Sequence, residues 1–127
     1  MPFKTRISLC LLPLTVAACT AGPVSYTDLP MTRYDPDTTY AVENSAQGFT
    51  LTIEYARYQF VPESRPVLSA CKQALTALAY DLAEQRGRKI LPINEQRIRT
   101  SFGRNAFGGM TLCSATVPVQ WDESAVK

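Results

Sequence analysis

From Phe49 onward, apolar and polar residues alternate. Phe49, Leu51, Ile53 and Tyr55 fall on one face and Thr50, Thr52 and Glu54 on the other, the period of two expected of a half-buried strand. After Ser64, Arg65 and Pro66 the period lengthens. Leu68, Cys71, Leu75, Leu78 and Leu82 recur at steps of three and four, with Ala74, Ala79 and Ala83 beside them, which predicts a helix with one apolar stripe. Pro66 suits its first turn, where a missing N–H costs nothing, and Gly87 its end. Ile90, Ile93 and Ile98 predict a second strand within 88–99, which Pro92 confines to an edge or a bulge. Gly103, Gly108 and Gly109 mark a turn, and Met110 to Trp121 predicts the last strand. There Cys113, Val117, Val119 and Trp121 oppose Leu112, Ser114, Thr116 and Gln120. The order is β-α-β-β over residues 48–122, an α+β fold with one helix packed on a three-stranded sheet, and residues 123–127 form a tail.

Ahead of this domain the pattern is weak. Residues 19–47 are rich in Thr, Ser, Asp and Pro, with Pro23, Pro30 and Pro36 spaced through them, and read as a flexible tether. Fully extended, it would reach roughly 90 Å at about 3.3 Å per residue. Within it, residues 39–43 could add a short edge strand.

At the very start, Lys4 and Arg6 precede an uncharged apolar run from Ile7 to Ala18 that closes on the small residues Ala17 and Ala18. Residues 1–18 therefore read as a secretory signal, too short to serve as a membrane span. Val16-Ala17-Ala18-Cys19 resembles the bacterial lipoprotein signal. The resemblance implies that Cys19 is lipid-modified, becomes the mature first residue and anchors the chain to a membrane. Position two of such proteins influences sorting, and Thr20 is not the Asp that retains them at the inner membrane; the periplasmic side of the outer membrane is the implied location. The other reading is a plain secretory signal with a coincidental Cys, or a short buried helix.

At 127 residues the chain has room for one domain. Its 13 Lys and Arg face 11 Asp and Glu, and loss of Lys4 and Arg6 with the signal would leave the mature chain neutral. Nucleic acid is accordingly not an expected partner. The charge is unevenly placed, with Asp28, Asp35, Asp37, Glu43 and Glu54 early and Arg86, Arg88, Lys89, Arg97, Arg99 and Arg104 late. The late arginines either solvate a surface or present planar donors to an anion, such as peptidoglycan, lipopolysaccharide or an acidic protein.

Apart from Cys10 in the signal and Cys19, the cysteines are Cys71 on the helix stripe and Cys113 on the apolar face of the last strand. In an oxidising compartment such a pair is most economically a structural disulfide. It would close a loop of about 43 residues, for which chain entropy gives roughly 4 kcal/mol. A redox thiol or a zinc site is less well supported, since neither a Cys-x-x-Cys nor a neighbouring base is present. The run Cys71-Lys72-Gln73-Ala74, the Ala- and Leu-rich helix, Gly87, Ile90 and Ile93, a Gly-rich turn and then Cys113 resembles the small periplasmic lipoproteins of the Rcs envelope-stress sensor type. That resemblance implies a similar fold and the same Cys71–Cys113 pairing.

Chemistry is sparse. The chain has no His, which removes the commonest general base and metal ligand, and it carries neither a Gly-x-Ser-x-Gly elbow nor a phosphate loop. Glu54 and Glu63 are the carboxylates that glycan hydrolysis would use, against the plainer reading of scattered surface charge. No enzyme activity, cofactor or metal is expected. Gly103-Arg104-Asn105-Ala106-Phe107-Gly108-Gly109 is either a flexible hairpin connection or, through Phe107 and Arg104, a partner contact. Tyr58 and Phe60 continue the outer face of the first strand, where a single helix would leave them uncovered. Together, Tyr58, Phe60, Arg97, Arg99, Arg104 and Phe107 are the candidate partner-binding residues. The chain reads as a non-enzymatic outer-membrane lipoprotein, an accessory or structural subunit of an envelope protein complex. The alternative is a module binding peptidoglycan or lipopolysaccharide through its arginines.

Overall fold

The computed structural model of the chain describes residues 22–61, 63–105 and 109–125. Strands β1 (Thr32–Asp35), β2 (Thr38–Asn44), β3 (Gly48–Tyr58), β4 (Arg99–Asn105) and β5 (Met110–Gln120) form one sheet in the order β1-β2-β3-β5-β4. Every pairing is antiparallel. Among the described residues there is one α-helix, α1 (Ser64–Gln85), which packs on one face. The α+β class and the single helix are as expected. The three-stranded sheet is not, because β1 and β2 arise within the stretch that reads as a tether.

The core lies between α1 and the odd-numbered side chains of β3 and β5. Phe49, Leu51 and Ile53 face Val119, Val117 and Ala115 across the ladder, and Val67, Cys71, Leu75, Leu78, Ala79, Leu82 and Ala83 of α1 close over them. All are buried, so apolar burial supplies the main driving force. Val67 takes the deep position at the helix start, and Leu68 is only half-buried. Cys71 and Cys113 are joined by a disulfide with Cα atoms 6.4 Å apart, inside this core.

Helix α1 ends as the sequence indicates. Gly87 takes φ +64°, its N–H donates to Glu84 O, and Arg88 N–H donates to Ala83 O. This is the paired closing pattern that glycine permits just beyond a helix C-terminus.

Residues 88–98 form no strand. Ile90 makes an isolated bridge with Trp121, and Glu95–Arg97 is a 3-10 turn begun by Asn94, whose side chain accepts from Gln96 N–H. Pro92 has no N–H for a ladder, and the three isoleucines serve instead as plugs at the core margin: Ile90 is buried, and Ile93 and Ile98 pack against it. The strand begins at Arg99, so Gly103 lies inside β4 and not in the turn. Of the turn itself, Gly109 has φ +65°.

On the face away from α1, the chain from Gly22 follows β4. Val24 N–H donates to Ser101 Oγ at 2.9 Å, and the Arg99 guanidinium lies 5.2 Å from the Tyr26 ring centre. A Cβ on Gly103 would fall 2.6 Å from Pro23; glycine here makes room for the segment. As the chain advances from Pro23 to Tyr26 its neighbours on β4 step back from Gly103 to Arg99. The segment therefore runs antiparallel to β4 before reaching β1 at the opposite edge. Beneath its path the outward side chains are small: Ala41, Thr52 and Thr116 form one row across β2, β3 and β5 and are buried although no helix covers them. Thr52 and Thr116 share a hydroxyl hydrogen bond of 3.0 Å.

Candidate functional site

The predicted contact residues do not gather in one place. Tyr58 closes β3, in register with Met110, and Met110 pairs in turn with Asn105, so Tyr58, the end of β4 and the start of β5 share one end of the sheet. Phe60 and Val61 follow in the link to α1. Tyr58 and Val61 are each 63% exposed and Phe60 88%. Arg104 lies at this same end, donating from Nη2 to Gln59 O at 3.3 Å. Phe107 lies outside the described residues, as does Cys19.

Gln59 organises this apex, a role its sequence context does not announce. Its N–H donates to Gly109 O at 2.9 Å. Its side chain donates from Nε2 to Glu63 O at 3.0 Å and accepts at Oε1 from Glu63 N–H and from Thr111 Oγ1. The link from β3 to α1 is thus bonded to its own far end and to β5. Phe60 and Val61 are displayed by a braced turn, and their exposure is a feature of a fixed surface. Val61 was missing from the expected contacts because it stands outside the strand alternation.

Arg97 and Arg99 lie at the opposite end of β4, lining a shallow cleft with Tyr26, Gln96, Thr50 and Pro118. Arg86 and Arg88 are further away again, at the end of α1, with the Arg88 guanidinium 4.3 Å from the Trp121 ring centre and that of Arg86 5.7 Å. Arg86 Nη1 also donates to Asn44 Oδ1 at 2.7 Å. Cations at a helix C-terminus over aromatic faces are a stabilising arrangement. The arginines that cluster in sequence are therefore divided among three places in space.

The Tyr34 phenol is perturbed. The Tyr34 hydroxyl on β1 donates to Asp81 Oδ2 on α1. That hydrogen bond, reinforced by desolvation and by the charges of Asp81 and Asp35, raises the phenol above its ordinary value. Among the described residues, no three His, Cys, Asp or Glu side chains are grouped to hold a metal, and no helix is long and apolar enough to cross a membrane.

Compared with protein-family models, with curated proteins and with solved structures, the chain matches none.

Proposed function

We propose that the protein is a non-enzymatic lipoprotein of the outer membrane, lipidated at Cys19 and facing the periplasm, where it is an accessory or structural subunit of an envelope protein complex. The observation that carries this reading is the ordered signal of Lys4 and Arg6, the uncharged run Ile7 to Ala18, and Ala17-Ala18-Cys19. The Cys71–Cys113 disulfide supports it, since such bonds persist in oxidising compartments. Support for a binding role comes from the braced, exposed apex, because rigidly held aromatic side chains lose little entropy on contact.

Cys19→Ala tests the anchor: in membrane fractionation the variant leaves the membrane pellet, and unchanged pelleting defeats lipidation. In-cell cross-linking of the tagged full-length protein tests the subunit role, with one stoichiometric envelope protein as the expected capture.

The second reading, recognition of peptidoglycan or lipopolysaccharide, draws on the cleft shared by Arg97, Arg99 and Tyr26. Binding led by those charges would fall steeply between low and high salt, whereas an aromatic-centred protein contact would hold.

A further inference from the structure

The segment from Gly22 is not a free tether. Gly22 and Pro23 pack against Gly103, Val24 is bonded to Ser101, and Tyr26 lies under Arg99. Followed backwards from Tyr26, this stretch travels along β4 toward Asn105, the end of the sheet that carries Tyr58. Two residues, Thr20 and Ala21, separate Gly22 from Cys19, and the three steps between them reach at most about 11 Å. An acyl chain on Cys19 would consequently be held beside the apex and could not float tens of ångströms away.

That apex has the make-up of a membrane-interface surface. Phe60 and Val61 are apolar and exposed in the turn that Gln59 braces, and Tyr58, which closes β3 beside them, is exposed too and combines an aromatic body with a polar tip. Aromatic residues of this kind settle at the level of lipid headgroups. Arg57, Arg65 and Arg104 are exposed around them, with Glu63 beside them and Asp35 and Asp37 on the β1–β2 turn at the same end of the sheet, where Ala56 N–H donates to Asp37 O. Near an anionic surface each such arginine adds attraction.

We propose that Tyr58, Phe60 and Val61 form a membrane-docking surface, seated among phospholipid headgroups beside the lipid on Cys19, with Arg104 facing the phosphates. The proposal rests on lipidation at Cys19, and gives the aromatic residues a lipid partner in place of a protein one. It fixes the orientation of the domain: β3 stands upright on the bilayer, and the Trp121 end, 11 strand residues away, points into solvent.

Trp121 is the only tryptophan and marks the far end, which supplies an internal control. The full-length protein, extracted from bacterial membranes, is reconstituted in phosphatidylethanolamine–phosphatidylglycerol vesicles, with and without bromine on the acyl chains near the headgroups. Flotation is read first, tryptophan quenching second, on the unsubstituted protein and on Phe60→Trp and Val61→Trp. The expected result is that all three float, Trp121 keeps its emission, and the added tryptophan loses at least about half of its emission in the brominated vesicles, as an interfacial residue should. Flotation with no quenching of either added tryptophan overturns the docking surface while leaving the anchor standing. Equal quenching of Trp121 overturns it as well, since the domain would then lie on its side. Failure of the unsubstituted protein to float removes the anchor, and the proposal with it. Both substituted positions are exposed, and circular dichroism matching the unsubstituted protein shows that the fold is kept.

Discussion

Ser114 carries a hydroxyl that is buried, 1% exposed, and has no hydrogen-bond partner. A buried donor without a partner costs about 1–3 kcal/mol, so Ser114→Ala should raise the urea midpoint, by the equivalent of about 1 kcal/mol once lost contacts are allowed for. Gly48 shows the opposite sensitivity. A Cβ there would fall 1.8 Å from Val119 O in the neighbouring strand, and Gly48→Ala should destabilise by about 2–4 kcal/mol, read from the same midpoint. Tyr34 gives a pH signature. Its hydrogen bond to Asp81 raises the folded-state value above the unfolded one, so the stability it contributes is complete below the ordinary tyrosine range. It is lost as pH climbs through the folded value. The gap in urea midpoint between the unsubstituted protein and Tyr34→Phe should therefore narrow above about pH 10; a constant gap would mean that the phenol does not titrate against Asp81.

At the level of elements, α1, β3 and β5 were legible because each has one dry face, and a dry face writes a period into the sequence. Their register follows from it: Phe49 to Tyr55 and Cys113 to Trp121 meet on the helix side as the alternation requires. β2 and β1 were harder to see, since Thr38, Thr39, Tyr40 and Ala41 lie in a stretch of mixed polarity and Thr38, polar by type, is 1% exposed. A signal was there nonetheless. Asp35-Pro36-Asp37 is a turn sequence, and Asp37 N–H donates to Asp35 Oδ1 at 2.8 Å within it. β4 was misplaced for a different reason: its residues are Arg, Thr, Ser, Phe, Gly, Arg and Asn, and the isoleucines that look like a strand plug the core instead. The disulfide ties two legible elements together. Cys71→Ala with Cys113→Ala should cost about 4 kcal/mol if the loop-entropy account holds, measured by chemical denaturation. A loss below about 1 kcal/mol would show the unfolded chain to be compact already.

For the whole molecule, the segment from Gly22 decides how the outer face is finished. Its covering role could not be read from composition, because the complementary signal, a row of small residues on three strands, appears only once β2 has been placed. Gly103→Val should push Pro23 off β4 and expose residues 22–31 to proteinase K, with cleavage there faster by about tenfold or more as local opening becomes cheaper. Equal cleavage would place the hold elsewhere along the segment. One further property follows from strand order. β5 comes last in the sequence yet lies between β3 and β4, so a chain threaded out N-terminus first delivers β1, β2, β3 and α1 long before the strand that closes their core. Until β5 has emerged, Phe49, Leu51 and Ile53 lack half of their wall, and until Cys113 has, Cys71 lacks the sulfur it pairs with. The nascent protein must spend that interval with its apolar stripe open to chaperones and proteases, and a stop codon ahead of Met110 leaves no weakened version of the fold, only material for degradation.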